Sequence, residues 1–265
     1  EDRVKIIIID DGSVDGTSDW IRINYPSVDL LSGDGSLWWS GGINLGTKYA
    51  IDQLGIEYIL WWNNDIKPEE DYLSELFRII ENNDESVIIG SKIYVQKKNT
   101  IWGMGGKFNP VSGKFGMYGE GEMDNNALKK QIIVDWLPGM GTIIHRSVFE
   151  NIGYTDNKTF PQYYGDSDFT YRAKMAGFIL IVFPELIIYN DISNTGMLHH
   201  NSLNSLIESF IGIKSKYNIR INFMYYRRHS KSILAYFYLI GKYYRYIGGF
   251  FKWNILGFFG INKNN

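Results

Sequence analysis

The chain has 265 residues, 45% of them apolar and 21% charged, which fits a globular protein with a sizeable core and excludes a disordered or collagen-like chain. It contains no cysteine, so disulfide scaffolds and thiolate zinc sites are excluded too. The net charge of −2 hides a division: residues 1–208 carry 17 Lys/Arg against 29 Asp/Glu, while residues 209–265 carry 10 Lys/Arg and no acid.

Residues 4–9, Val-Lys-Ile-Ile-Ile-Ile, form a continuous apolar run bounded by turn residues and predict a buried parallel strand. It ends in Asp10-Asp11-Gly12-Ser13. A short helix is expected around Trp20–Ile23 and a second strand over 28–31. A helix is expected over 40–54, entered through the glycine-rich stretch Gly33-Asp34-Gly35-Ser36-Leu37-Trp38-Trp39-Ser40-Gly41-Gly42. A third strand over 57–62 meets Asn63-Asn64-Asp65, and residues 69–82 place Leu73, Leu76, Phe77 and Ile80 on one helical face. A fourth strand covers 86–94. Strands alternating with helices of this length argue for a parallel α/β sheet.

After residue 95 the rhythm changes. Residues 102–121 are rich in glycine, with Asn109-Pro110 and Ser112-Gly113 as turn signals, and predict hairpins or a mobile loop. Strands are expected over 132–136, 142–145 and 178–183, and helices over 147–152 and 167–176. From residue 205 the pattern is helical, with tyrosines and phenylalanines interleaved with Lys and Arg. That pattern suits a membrane interface, where rings sit at headgroup depth and cations meet anionic lipid. Packing on the preceding domain or on another subunit is the alternative. Nucleic acid is disfavoured as a partner, because the rest of the chain is acidic. No apolar run reaches the roughly 18–20 residues needed to span a bilayer.

Three loops should meet at the strand ends, where open α/β sheets bind their ligands. At Asp10-Asp11-Gly12-Ser13, a carboxylate can accept from a base or ribose while Gly12 admits the ligand closely. The glycines before the helix at Gly42 and Asn44 offer N–H groups to phosphate or hydroxyl oxygens. Asn63, Asn64 and Asp65 can present oxygen to a hard divalent cation, although the same string also serves as a turn with a helix cap. Trp38, Trp39 and Trp136 suit either ring stacking or the core.

The segments Ile-Ile-Asp-Asp-Gly-Ser-x-Asp-Gly-Thr, Trp-Trp-Ser-Gly-Gly-Ile-Asn-Leu-Gly and Trp-Trp-Asn-Asn-Asp occur in that order. Asp135-Trp136-Leu137-Pro138-Gly139-Met140-Gly141 and Tyr163-Tyr164-Gly165-Asp166-Ser167-Asp168-Phe169 follow. Together, over residues 4–200, they resemble the inverting family-2 glycosyltransferases, and most nearly their bacterial rhamnosyltransferase-like branch. The resemblance implies an α/β, GT-A (nucleotide-diphospho-sugar transferase) fold, Rossmann-like with a mostly parallel sheet, over residues 1–204. Residues 205–265 are then a helical, aromatic and basic extension. It further implies that the family's first strand and helix precede Glu1. Without them an apolar strand edge is expected beside residues 4–9, with dimerisation or aggregation as a result and poor activity compared with a longer form.

Residue by residue, the resemblance implies that Asp10 and Asp11, with Gly12 and Ser13, hold the nucleoside, and that Gly42, Asn44, Asn63 and Asn64 belong to the donor site. Asp65 ends the Asp-x-Asp-type motif and would ligate Mg²⁺ or Mn²⁺; its first position is Asn63 here, which leaves less negative charge at the ion. His199 would complete the metal site, with His200 as its competitor. Asp166 matches the general base, and Asp168 and Arg172 are expected to hold the loop and helix in place. The implied reaction moves rhamnose or another hexose from a dTDP-, UDP- or GDP-sugar to a hydroxyl of a growing cell-surface polysaccharide or lipid-linked glycan. It is metal-assisted and inverting. The implied location is cytoplasmic, peripheral at the inner face of the cell membrane. The rivals are a sugar nucleotidyltransferase and a degenerate, non-catalytic sugar-nucleotide-binding or scaffold subunit.

Overall fold

A computed structural model describes residues 3–192 and 202–258. The chain divides into two units, Glu1–Lys107 with Met117–Ser193, and Phe108–Gly116 with Asn194–Asn265. The second unit also takes in a hairpin tip from the middle of the sequence.

The first unit is α/β. It runs β1 (Ile7–Asp10), α1 (Thr17–Asn24), β2 (Asp29–Ser32), α2 (Trp38–Asp52), β3 (Tyr58–Trp61), β4 (Ile66–Pro68), α3 (Tyr72–Glu81) and β5 (Val87–Val95). Short strands β6 (Ile101–Gly103), β7 (Gly106–Phe108) and β8 (Phe115–Met117) resolve the glycine-rich stretch into hairpins, and β7 pairs with β8. Then come β9 (Ile132–Ile133), β10 (Thr142–His145), α4 (Arg146–Ile152), α5 (Gly165–Met175) and β11 (Ile179–Asn190).

The main sheet has the order β3-β10-β5-β11-β4. Its longest ladder, β5 with β11, is parallel, and β10 runs antiparallel to both β3 and β5. Strands β3, β5 and β11 consequently point the same way, and their carboxyl ends share one edge. Every residue of β5 is buried, as its unbroken apolar run requires of a central strand. Helices α2, α4 and α5 cover one face through Ala50, Val148, Phe149, Phe169 and Ala173. Helix α3 covers the other through Tyr72, Leu76 and Ile79. Each of the larger aliphatic and phenylalanine side chains among these contributes about 1.5–3 kcal/mol when taken from water.

Strands β1 and β2 form a separate parallel pair, in which β1 is bonded on one side only. Helix α2 packs on β1 through glycine: a Cβ at Gly46 would lie 2.6 Å from Ile9 Cδ1. On the other face, an apolar cleft of 620 Å³ lies between Ile6, Ile8, Trp20, Ile21, Tyr25 and Val28.

Two features depart from the sequence expectations. Residues 66–68 form an edge strand rather than the approach to a helix, and an edge is where a sheet tolerates Pro68. Strand β11 also continues past Pro184, because a register shift between Phe183 and Ile187 absorbs that proline and carries the strand on to Asn190.

The second unit contains α6 (Leu203–Ile211), α7 (Ile219–His229) and α8 (Leu234–Phe258). Its core is aromatic. Phe108 meets Tyr225 and Tyr226 edge-on, at 5.4 and 5.8 Å between ring centroids. The Tyr226 hydroxyl donates to Gly113 O at 2.7 Å. At Gly113, φ is +75° and a Cβ would fall 2.6 Å from Ala235 Cα, so glycine is required on both counts. Among the described residues no helix is long and apolar enough to cross a membrane.

Candidate active site

Asp10 closes the first strand and caps its own loop. Its carboxylate accepts from Ser13 N at 2.9 Å and from the Ser18 hydroxyl. These bonds hold its pKa below the ordinary carboxylate value.

Asp11 reaches across to the second loop. Oδ1 accepts from Gly35 N at 2.8 Å, and Oδ2 accepts from Leu37 N and Trp38 N at 2.9 and 3.1 Å. The start of α2 was expected to present free N–H groups to phosphate. Instead Asp11 supplies the negative charge that a helix N-terminus favours. The next two N–H groups are also taken, Trp39 N by Gln162 Oε1 at 3.2 Å and Ser40 N by Pro161 O at 2.8 Å. Trp38 adopts a left-handed backbone, φ 56°, at this junction.

Asn44 and Gly42 are likewise occupied by the chain itself. Asn44 Nδ2 donates to Thr155 O at 2.9 Å, and its Oδ1 accepts from Thr155 N and Oγ1 at 3.0 and 2.8 Å. Gly42 faces Ile9 of β1. At Gly12, φ is +83° and a Cβ would come within 3.2 Å of Gly35 Cα, so this glycine serves the contact between the first two loops.

The third loop follows β3. Asn63 Oδ1 accepts from the Trp39 indole N–H at 3.0 Å, and Asn64 is exposed. Asp65 is different: its Oδ1 is buried with no hydrogen-bond partner. Burial, together with the nearby Asp191 charge, pushes its pKa up. Asp191 N donates to Asp65 O at 3.0 Å, which sets the two residues opposite one another at the end of the β11–β4 ladder. Sequence reasoning missed Asp191 because it ended the last strand at residue 183. The apolar run Leu186-Ile187-Ile188-Tyr189 beyond Pro184 was the signal that the strand continued.

Asp166 sits in the first turn of α5, just after Tyr164, whose left-handed backbone (φ 66°) opens the helix. Its Oδ2 accepts from Gly139 N at 2.8 Å, and its Oδ1 accepts from Ser167 N and Oγ at 2.7 and 3.0 Å. Burial outweighs these bonds and raises its pKa. Thr170 anchors the same loop, since its Oγ1 accepts from Leu137 N at 3.0 Å and donates to Asp166 O at 2.8 Å. Asp168 is fully buried and paired with Arg172 at 3.0 Å, and Arg172 also holds the carbonyls of Ile152 and Tyr154. Trp136 is buried.

Trp39 joins these parts. Its indole nitrogen bonds Asn63, and its ring lies against Gly139, where any Cβ would collide with it. The Asn63–Asp65 turn and the loop that holds Asp166 are thus one side chain apart.

A divalent cation fits this arrangement. The orphaned oxygen of Asp65 and the carboxylate of Asp191 opposite it are hard oxygen donors, and a nucleotide-bound ion takes its other ligands from phosphate and water. Among the described residues no three His, Cys, Asp or Glu side chains gather at one point. His199 and His200 lie outside the described residues.

An α/β sheet with carboxylates at its strand ends has its ligand-binding edge where open sheets of this class bind nucleotides. Residues 1–153 match the glycosyl transferase family 2, and the chain belongs to that family. It is 27% identical over 173 residues to the low-salt glycan biosynthesis hexosyltransferase Agl10 of Haloferax volcanii. That match covers 64% of this chain and 53% of Agl10, so the chain spans about half the length of this curated relative. Among solved structures it is similar to GalNAc-T7 crystallised with UDP, GalNAc and Mn²⁺, with a TM-score of 0.54 and 12% identity. That likeness covers 71% of this chain and 37% of GalNAc-T7, and it shows the fold. Staphylococcus aureus TarS is similar at a TM-score of 0.49 and 14% identity, over 72% of this chain and 31% of TarS.

Proposed function

We propose that the protein transfers a hexose or deoxyhexose, rhamnose first among the candidates, from a nucleotide-diphosphate sugar to a hydroxyl of a growing glycan, with inversion. The observation that carries this reading is the Trp39 bridge, which sets Asp166 beside the turn that bears Asp65.

Asp166 is the general base. Its raised pKa brings the carboxylate nearer to the range in which a base works at neutral pH, and the Gly139 and Ser167 N–H groups orient it. It takes the proton from the acceptor hydroxyl as that oxygen attacks the anomeric carbon. One base opposite the leaving group gives a single displacement, without the second carboxylate nucleophile of a retaining enzyme. Asp65 and Asp191, with His199 as a further donor, would hold Mg²⁺ or Mn²⁺; the bound ion would stabilise negative charge on the departing diphosphate. Asn63 orients the turn through Trp39.

The second unit is proposed to rest on a membrane surface, at the cytoplasmic face, where lipid-linked acceptors are presented. Supporting this, Leu234, Phe237, Tyr244 and Phe251 form one exposed stripe on α8, and Leu203, Ile207 and Ile211 another on α6. The acid-free segment 209–265 supplies the cations.

A second reading, a sugar-nucleotide-binding subunit without transferase activity, is favoured by the engagement of Asp10 and Asp11 with their own chain. Calorimetric titration of dTDP-, UDP- and GDP-sugars with and without Mn²⁺, alongside a transfer assay, separates the two. Binding with turnover that Asp166→Asn removes supports the transferase. Binding without any turnover supports the alternative, and metal-independent binding of every donor removes the role given to Asp65.

A further inference from the structure

Beside the carboxylate pair lies a cleft of 390 Å³ lined by Tyr94, Lys97, Lys98, Asn99, Ile187 and Tyr189. Tyr94 and Tyr189 are register partners on β5 and β11, and their rings stack at 5.8 Å and 28°. Both rings are fixed through their hydroxyls, Tyr94 donating to Asp124 Oδ2 and Tyr189 to Glu69 Oε2, each at 2.6 Å. The aromatic floor is therefore rigid before any ligand arrives.

Lys97 and Lys98 make up the cationic side of the cleft. Both are exposed, and neither has a carboxylate within ion-pair distance among the described residues. Lys97 is also held at φ 62°, and Trp38 and Tyr164, the other non-glycine residues described with positive φ, both sit in loops of the candidate site. Strain of this kind persists where surrounding structure enforces it, and it concentrates at binding sites.

The cleft has a fixed relation to Asp65. Tyr189 faces Lys67 in the β11–β4 ladder, and the Asp191–Asp65 bond lies two residues further along. Residues two apart on a strand share a face and are separated by roughly 7 Å, about the length of one sugar ring.

We infer that this cleft is the acceptor subsite and that it takes a saccharide carrying an acidic group, a carboxylate or a phosphate. A sugar lays its C–H face on Tyr189, which the buried Tyr94 ring backs, while Lys97 and Lys98 meet the anion. This rests on the transferase reading above and adds to it the chemical class of the acceptor.

The test is saturation-transfer NMR on the full chain with three probes: a neutral glucose disaccharide, the same disaccharide ending in glucuronate, and inorganic phosphate. The glucuronate disaccharide should bind best, with saturation on its sugar protons. The surface double variant Lys97→Gln/Lys98→Gln should weaken it about tenfold, while nucleotide-sugar binding by the same sample stays unchanged. Equal binding of the neutral and acidic disaccharides, or no effect of the double variant, overturns the subsite. So does displacement of the acidic probe by inorganic phosphate without any saturation of the sugar. A failed donor titration alongside a lysine-dependent acidic-sugar signal would count against the transferase reading alone.

Discussion

The loop after β1 and the loops after β3 and before α5 spend their carboxylates in opposite ways. Asp11 receives three backbone N–H groups, and Asp10 a backbone N–H and a hydroxyl. Asp65 keeps a buried oxygen with no partner, and Asp166 retains a raised pKa despite its hydrogen bonds. A carboxylate satisfied by its own chain builds the scaffold; Asp65, left short, has an unmet demand that a cation can fill, and Asp166, though it accepts three hydrogen bonds, is held by burial in a state that favours taking a proton. Substituting the first kind should cost stability, and substituting the second should cost function.

The largest effect is expected at Asp166. Replacement by Asn should lower kcat by on the order of a thousandfold while nucleotide-sugar affinity is kept, since general-base contributions run from about 10² to 10⁴. The same variant should lose the parent's fall in stability with rising pH, although its amide nitrogen can no longer accept from one of the two backbone N–H groups. A raised folded pKa means the folded chain holds this proton longer than the unfolded one, so the stabilisation is present at low pH and is lost as pH rises through the folded value. The melting temperature should therefore fall from mildly acidic to neutral pH in the parent and stay flatter in the variant. A variant that loses donor binding along with turnover would put Asp166 in the scaffold class.

Asp11→Ala should come next, with a loss of about 3 kcal/mol in urea unfolding, because it strips three charge-assisted bonds from the start of α2. Unchanged stability with abolished donor binding would break the comparison from the other side. Asp65→Ala should weaken Mn²⁺ binding by about a hundredfold, read by electron paramagnetic resonance of the free ion, and leave the melting temperature unchanged or higher. Asp191→Asn should follow it in the same assay with a smaller loss.

The smallest effect belongs to the second unit. Lys242 is buried against Asn222 and the Tyr217 ring, and burial first, then Lys216, lowers its pKa to about 8. A folded pKa below the unfolded one means stability is gained as pH rises from about 8 toward 10, by about 2 kcal/mol. Above that range Tyr226 and Tyr243, whose pKa values are raised, oppose the gain. Lys242→Met should flatten the dependence, which chemical denaturation at pH 7.5, 9 and 10 would reveal.

Much of the α/β frame could be read from local pattern. The unbroken apolar runs became β1, β3 and β5, though Val4 and Ile6 of the first run are exposed, and the spaced apolar pattern at 73–80 became α3, which turns Tyr72, Leu76 and Ile79 inward and leaves Leu73 exposed. The glycine-rich stretch became hairpins. What the sequence concealed was non-local. Nothing near Asn44 signals that Thr155, 111 residues away, will take three of the hydrogen bonds its side chain can make. Nothing near Asp11 says that a helix will begin beneath it. A residue type and a loop position announce a polar group at a strand end, and only the fold decides whether the chain or a ligand satisfies it. The edge strand β4 was hidden for a related reason: its three residues carry no period long enough to detect, and their pairing partner lies more than a hundred residues further on.

The bond between Trp39 and Asn63 has an optical consequence. An indole whose N–H is held by the turn before Asp65, and whose ring rests on the loop that orients Asp166, is an intrinsic fluorophore wired to both halves of the site. Any ligand that moves either loop alters the polarity around that ring. The emission lost on Trp39→Phe is thus an unlabelled reporter of site closure, built into the chain where an added dye would obstruct it.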